Sequence, residues 1–164
     1  MVNDAALQQE KFDGQAGYES AIDTLIAKAK KRIRIFDKQA SPAFNSVKRY
    51  ELLRNFLLAS RDNRLYIVLH DAGYLTTNCS RMMLLLRHFS HGIAIHETQQ
   101  HAKHVYDPFT VIDDSHYAHR FHYDNVHGLM VLNDSAGAHE FNDRFDEIWE
   151  ASFPVASATT LGLR

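Results

Sequence analysis

The chain has 164 residues, 45% hydrophobic and 23% charged, a composition that fits one soluble domain built on a single core. Seven glycines and three prolines exclude a fibrous or low-complexity chain. The balance of 18 basic against 20 acidic residues leaves a net charge of −2, which by itself demands no polyelectrolyte partner.

The first 16 residues are polar and read as a flexible segment, with no apolar stretch of the signal-peptide kind. Tyr18, Ile22, Leu25, Ile26 and Ala29 recur at helical spacing, so the pattern predicts a helix over Gly17–Lys31. Its last turn carries Lys28, Lys30 and Lys31, which complement the negative end of the helix dipole. Arg32–Asp37 then alternates polar and apolar residues, as a strand with one buried face does. A second helix is expected over Val47–Ser60. Leu65–Leu69 is apolar on both faces, the mark of a strand covered by helices on each side. Asp71–Thr77 reads as a loop supplying capping side chains, Asn78–Phe89 as a helix and Ile93–His96 as a strand. Phe109–Asp113 and Tyr117–Tyr123 read as a hairpin pair, Leu129–Leu132 as a further strand and Ala138–Ala151 as the closing helix. The order predicts an α/β domain over residues 17–152, with a mixed, largely parallel central sheet and helices on both faces. Residues 153–164 are small and polar and are expected to fray as a flexible tail.

The longest apolar run, Met82–Leu86, is far too short to span a bilayer, so no membrane insertion is expected. Cys79 is the single cysteine, which rules out an internal disulfide and fits a reducing, cytoplasmic setting. Charge is segregated along the chain. Between Lys28 and Arg64 eleven basic residues face three acids, and between Glu97 and Glu150 eleven acids face three basic residues. That polarity fits solvated faces that complement one another, a phosphate-facing basic surface, or head-to-tail association of unlike halves.

Three stretches resemble the phospholipase D-like fold: AIDTLIAKAKKRIRIFD, then RNFLLASRDNRLYIVLHDAGYL with RMMLLLRHFSHGIAIHE, and DPFTVIDDSHYAHRFH ahead of FDEIWEAS. The resemblance implies a site built on the signature H-x-K-x4-D. In that family the His attacks phosphorus, the Lys neutralises phosphate oxygens and the Asp supports the site. Two copies of the motif face each other, so a chain with one half would need a dimer. Laid on Phe109–Asp113, the signature puts Tyr106 at the His position and Pro108 at the Lys position, and only Asp113 matches. His101-Ala102-Lys103 is a literal H-x-K nearby, but Pro108 stands where its acid should be and Asp107 comes one residue early.

The 11 histidines all lie between His70 and His139. His116, His119 and His122 recur every third residue, which on a strand separates His119 from the other two. A strand-borne metal pair prefers H-x-H, which is absent there. His101 and His104, with Asp107, Asp113 and Asp114, have ligand types that zinc accepts. Cys79 follows Asn78 at an expected helix start, where the dipole favours a thiolate, but no base adjoins it. The run Lys48, Arg49, Arg54, Arg61 and Arg64 interleaves with Tyr50, Phe56 and Tyr66, a pattern that also occurs in nucleic-acid binders.

Three functions follow. The leading expectation is a non-catalytic phospholipase D-like module of a bacterial-type cytoplasmic protein, needing no cofactor. It would act by self-association as a homodimer or by holding a phosphate-bearing ligand, nucleic acid or anionic lipid, through Lys30, Lys31, Arg32 and Arg34. The second is a divergent phosphodiesterase or nuclease assembled in a dimer, using His101, Lys103 and His104 with Asp113. The third is a metal-binding protein using the His and Asp region.

Overall fold

The computed structural model describes residues 6–105, 107–121 and 127–156. Its eight strands form one mixed sheet in the order β1-β7-β6-β5-β2-β3-β4-β8. The strands are β1 (Gln8–Asp13), β2 (Arg32–Asp37), β3 (Arg64–Leu69), β4 (Ile93–Thr98), β5 (Phe109–Ile112), β6 (His116–Arg120), β7 (His127–Leu132) and β8 (Ser152–Ala156). The helices are α1 (Gly14–Lys28), α2 (Val47–Ala59), α3 (Gly73–Asn78), α4 (Ser80–His88) and α5 (Ser135–Glu150).

Period-two alternation in the strands sorts the core into two layers. Ile33, Ile35, Leu65, Ile67, Ile93 and Ile95 point to one face and meet Tyr18, Ile22 and Leu25 of α1, Leu53 and Phe56 of α2, and Met82 and Leu85 of α4. Phe36, Val68, Phe109, Val111, Tyr117 and Val131 point to the other face and meet Ala138, Phe145 and Ile148 of α5. Helices therefore cover both faces, as the apolar run Leu65–Leu69 implied, three long ones on one side and α5 on the other.

The sheet is mixed as expected, but parallel pairing is narrower than the alternation of helices and strands suggested. Among the described residues only β2-β3 and β3-β4 are parallel, while β1-β7, β2-β5, β4-β8, β5-β6 and β6-β7 are antiparallel. Crossover helices link only β2 to β3 and β3 to β4, and a hairpin builds β5-β6. Two edge strands also arise in segments expected to be flexible. Gln8–Asp13 pairs with β7, and Ser152–Ala156 pairs with β4 through an irregularity at Ile95/His96. The stretch Asp71–Thr77, expected as a loop, holds most of the short helix α3. The expected side-chain cap is missing, since the N-cap is Ala72; Gly73 N–H donates to Asp71 Oδ1 at 2.8 Å in the turn before the helix, and Thr77 Oγ1 bonds back to the Gly73 carbonyl at 2.7 Å within it.

One glycine is sterically required. A Cβ on Gly128 would fall 1.9 Å from the His119 carbonyl oxygen of the neighbouring strand. Arg49, expected on a basic surface, is instead fully buried. Its Nε donates to Asp23 Oδ1 at 2.8 Å, its Nη1 lies 2.9 Å from Glu19 Oε1, and its Nη2 donates to the Glu19 carbonyl at 3.0 Å. The guanidinium also lies 5.0 Å from the Phe44 ring centroid. This arrangement fixes α1 against α2 and the short 3-10 turn Pro42–Asn45.

Arg49→Met leaves Glu19 and Asp23 without their buried cation, and loss of one partner of such a pair costs about 3–5 kcal/mol. Urea denaturation should show a drop of that order. Arg49→Lys should recover only part of it, because a single ammonium does not reproduce the planar fork. A loss below about 1 kcal/mol for Arg49→Met, the size of an exposed pair, would show that the buried cluster does not hold the helices.

Candidate functional site

Asp113, the one matching residue of the signature, ends β5 in a left-handed conformation with φ 52°, a region that Asp tolerates better than most residues. Its carboxylate accepts three backbone N–H groups: Lys30 at 3.0 Å, Lys31 at 2.8 Å and Arg32 at 2.8 Å. Its own N–H donates to the Arg32 carbonyl at 2.9 Å. Asp113 thus binds the turn entering β2 to the β5-β6 corner, and its oxygens are spent on the backbone. Pro108 is buried before β5, with its carbonyl accepting from Arg120 N–H at 3.0 Å. Proline has no side chain able to meet a phosphate. Tyr106, at the nucleophile position, lies outside the described residues.

The opposite end of β2 opens into a cleft of about 500 Å³, lined among others by Gln15, Asp37, Lys38, Ser41, Tyr74 and Arg120. The alternation of β2 puts Asp37 on the same face as Ile33 and Ile35, next to fully buried Tyr18. Arg120 comes to the cleft from the end of β6, 8% exposed, with its guanidinium 5.7 Å from the Tyr18 ring centroid. Burial drives the Asp37 carboxyl up to about 7, against the opposing pull of the Lys38 N–H bond and the Arg120 charge. Burial and the neighbouring Asp37 charge push the Tyr18 hydroxyl well up. The cleft wall is tied to the buried arginine: Glu19, which Arg49 holds, accepts from Ser41 Oγ and Gln15 Nε2, each at 2.5 Å. The cleft therefore combines two cationic side chains, neutral donors and a carboxyl that changes charge near neutral pH. Among the described residues, no histidine or cysteine lines it.

The sequence-predicted site residues are scattered. Arg32 Nη2 pairs with Asp114 at 2.7 Å, and Arg34 turns under α5, with Nη2 3.2 Å from Asp146 and Nη1 donating to Asn142 Oδ1 at 3.1 Å. Lys30 and Lys31 are exposed at the end of β2 away from the cleft. His101 and His104 line a hollow of about 330 Å³ with Arg144 and Glu147. Lys103 turns elsewhere, its Nζ donating to the His70 carbonyl at 2.5 Å. The H-x-K pair thus does not converge.

Several other histidines are held by the fold, while His88, His91 and His139 are exposed. His70 Nε2 lies 2.6 Å from the Val105 carbonyl, so that nitrogen carries the proton and Nδ1 accepts from the Thr98 hydroxyl at 2.7 Å. Burial holds the His70, His96 and His119 imidazoles below their ordinary range. His96 stacks on Trp149 with ring centroids 3.5 Å apart. His116 accepts from Asn133 N–H at 3.0 Å. His122 lies outside the described residues, and among those described no three His, Cys, Asp or Glu are grouped to hold a metal ion. Cys79 does stand before α4, but burial raises its thiol and works against a thiolate. Among the described residues no helix is long and apolar enough to cross a membrane.

The cleft itself escaped sequence reasoning. Asp37 closes an alternating strand, and an acid at the carboxyl end of a parallel strand is the one signal that could have pointed to it. Arg120 is more than eighty residues away in the chain, and nothing local ties it to Asp37.

The family model for a domain of unknown function, DUF7931, matches residues 14–161, and the chain belongs to that family. A comparison with curated proteins finds no match. Among solved structures, the chain is similar to Nuc from Salmonella typhimurium, a phospholipase D family member. The TM-score is 0.64 at 14% identity, covering 93% of this chain and 100% of that one. TrmBL2, an archaeal chromatin protein whose structure shows a mode of DNA binding, gives a TM-score of 0.66 at 13% identity, over 90% of this chain and 53% of that one. Phosphatidylserine synthase from Haemophilus influenzae Rd KW20 gives 0.60 at 10% identity, over 98% of this chain and 42% of that one. The fold is phospholipase D-like, as the order of elements implied.

Asp113→Ala strands three backbone N–H groups and places alanine at a positive φ, so stability should fall by about 2–4 kcal/mol in urea denaturation. A fall below about 0.5 kcal/mol, the range of ordinary surface substitutions, would remove its structural role. Asp37 is protonated to higher pH in the folded than in the unfolded chain, so its contribution to stability falls as pH rises from about 4 to about 7. Asp37→Asn should flatten that part of the stability–pH curve. An unchanged slope would place the titration elsewhere.

Proposed function

We propose that this chain is a non-catalytic phospholipase D-like module, a pseudoenzyme that holds a phosphate-bearing ligand in the strand-end cleft. One observation carries the reading. Where the resembled family places its His and Lys, this chain has Tyr106 and Pro108, and the remaining Asp113 is spent on the amides of residues 30–32. Tyr106 is not the imidazole that attacks and then passes on a proton in that family, and Pro108 has no ammonium to neutralise phosphate oxygens. The Lys38 and Arg120 charges at the cleft favour an anion, and the guanidinium and amide donors suit phosphate oxygens. The fold is shared with a DNA-binding chromatin protein and a phosphatidylserine synthase, so nucleic acid and anionic lipid are the two sources of phosphate to compare.

The test pairs turnover with binding. The full chain should not hydrolyse bis(p-nitrophenyl) phosphate above a buffer blank, with or without added divalent metal. It should bind a fluorescent single-stranded oligonucleotide or phosphatidylserine vesicles at low salt, with affinity falling as salt rises. Lys38→Glu should weaken that binding about tenfold, the effect of roughly 1.4 kcal/mol. Affinity should also fall as pH rises through about 7, where Asp37 becomes charged, and Asp37→Asn should remove that step. Turnover overturns the pseudoenzyme reading. Indifference to both probes overturns the ligand reading, and loss of binding in Lys30→Glu/Lys31→Glu but not in Lys38→Glu moves the ligand to the basic turn.

A further inference from the structure

The charge segregation of the sequence becomes geometric in the fold. On α5, Glu140, Asp143, Glu147 and Glu150 follow helical spacing on the side away from the core and are all exposed, with Arg144 the one basic residue among them. Across the sheet, the outer side of α2 presents Glu51, Arg54 and Leu58, Arg61 follows in the turn after it, and the outer side of the adjoining α4 presents Leu84 and Arg87. Leu58 is 55% and Leu84 38% exposed.

Three arginines have found acids within the chain: Arg32 with Asp114, Arg34 with Asp146, and Arg49 with Glu19 and Asp23. The two outer stripes have not. Among the described residues, no lysine or arginine pairs with the α5 stripe, whose one ion-pair contact is Asp143 with His139, and no acid pairs with Arg54, Arg61 or Arg87. They lie in opposite layers with the sheet between them, so no side-chain movement within one chain brings them together.

We propose that the α2-α4 face is a docking surface for the acidic α5 face of a second copy of this chain. The contact is head-to-tail, with Arg54, Arg61 and Arg87 against the α5 stripe and the aliphatic stems of its glutamates over Leu58 and Leu84. The two patches differ, so the contact is heterologous and leaves one free patch at each end. Association continues past the dimer unless a ring closes. This contact does not depend on the strand-end cleft and stands or falls without it.

Sedimentation equilibrium of the full chain tests it. At about 0.01 M salt, where charges act over about 30 Å, the weight-average mass should rise with concentration beyond that of a dimer. At about 1 M salt, where the range is about 3 Å, it should return to the monomer. Arg54→Glu/Arg61→Glu and Glu140→Lys/Glu147→Lys change exposed residues only, and each variant alone should be monomeric at low salt. An equimolar mixture of the two should associate again. Lys30→Glu/Lys31→Glu changes net charge by the same amount as the first variant and should leave association intact. The proposal is overturned by a wild-type monomer at every concentration in low salt, by a mass that stops at the dimer, or by equal loss of association in the Lys30/Lys31 variant. Failure of the mixture to reassociate overturns it as well.

Discussion

A single carboxylate holds the junction on which this fold turns. Asp113 gathers the N–H groups of Lys30, Lys31 and Arg32 where α1 hands over to β2 and where β5 turns into β6. On one side of that junction lie the parallel strands β2, β3 and β4, and on the other the antiparallel strands β5, β6 and β7. Backbone donors at such a corner have no ladder partner, and leaving them dry is costly. An acid at this place is therefore useful to the backbone alone, with no phosphate chemistry nearby required.

The buried Arg49 cluster acts on the cleft at one remove. Arg49 holds Glu19, and Glu19 receives Ser41 and Gln15 from the cleft wall. The wall is thus set by α1 and α2, while Asp37 and Arg120 come from two strands that are not neighbours in the sheet. Electrostatics there is balanced between burial, which favours a neutral Asp37, and Arg120, which favours a charged one. Burial has the larger effect, so the cleft is more positive in mild acid than in mild base.

The elements with strong periodicity were legible in the sequence. Arg32–Asp37 alternates cleanly and Leu65–Leu69 is apolar throughout, and both are strands within a residue of the expected bounds. The closing helix runs from Ser135, three residues before the expected start, because Asp134 caps it by accepting from Gly137 N–H at 3.1 Å. β1 was invisible because QQEKFD offers one large apolar residue, and its strand character comes from pairing with distant β7 rather than from its own side chains. α3 was hidden by Gly73 and two β-branched threonines, weak helix formers whose hydroxyls here bond back to the turn. The balance of parallel and antiparallel pairs could not be read, since pairing is set by partners far along the chain. Arg49 misled for the same reason: nothing near it announces that Glu19 and Asp23 lie one helix away. The cleft was not legible, because Asp37 and Arg120 meet only in three dimensions.

The pairing of β1 with β7 also bears on the order in which the molecule is completed during synthesis. Gln8 finds its partner at Leu132 and Asp13 at His127, so β1 leaves the ribosome more than a hundred residues ahead of the strand it pairs with. An apolar strand waiting that long is an invitation to pair with another nascent chain. QQEKFD has little to offer such a partner. The polar character that hid this strand in the sequence lets it wait in water until its place beside β7 exists.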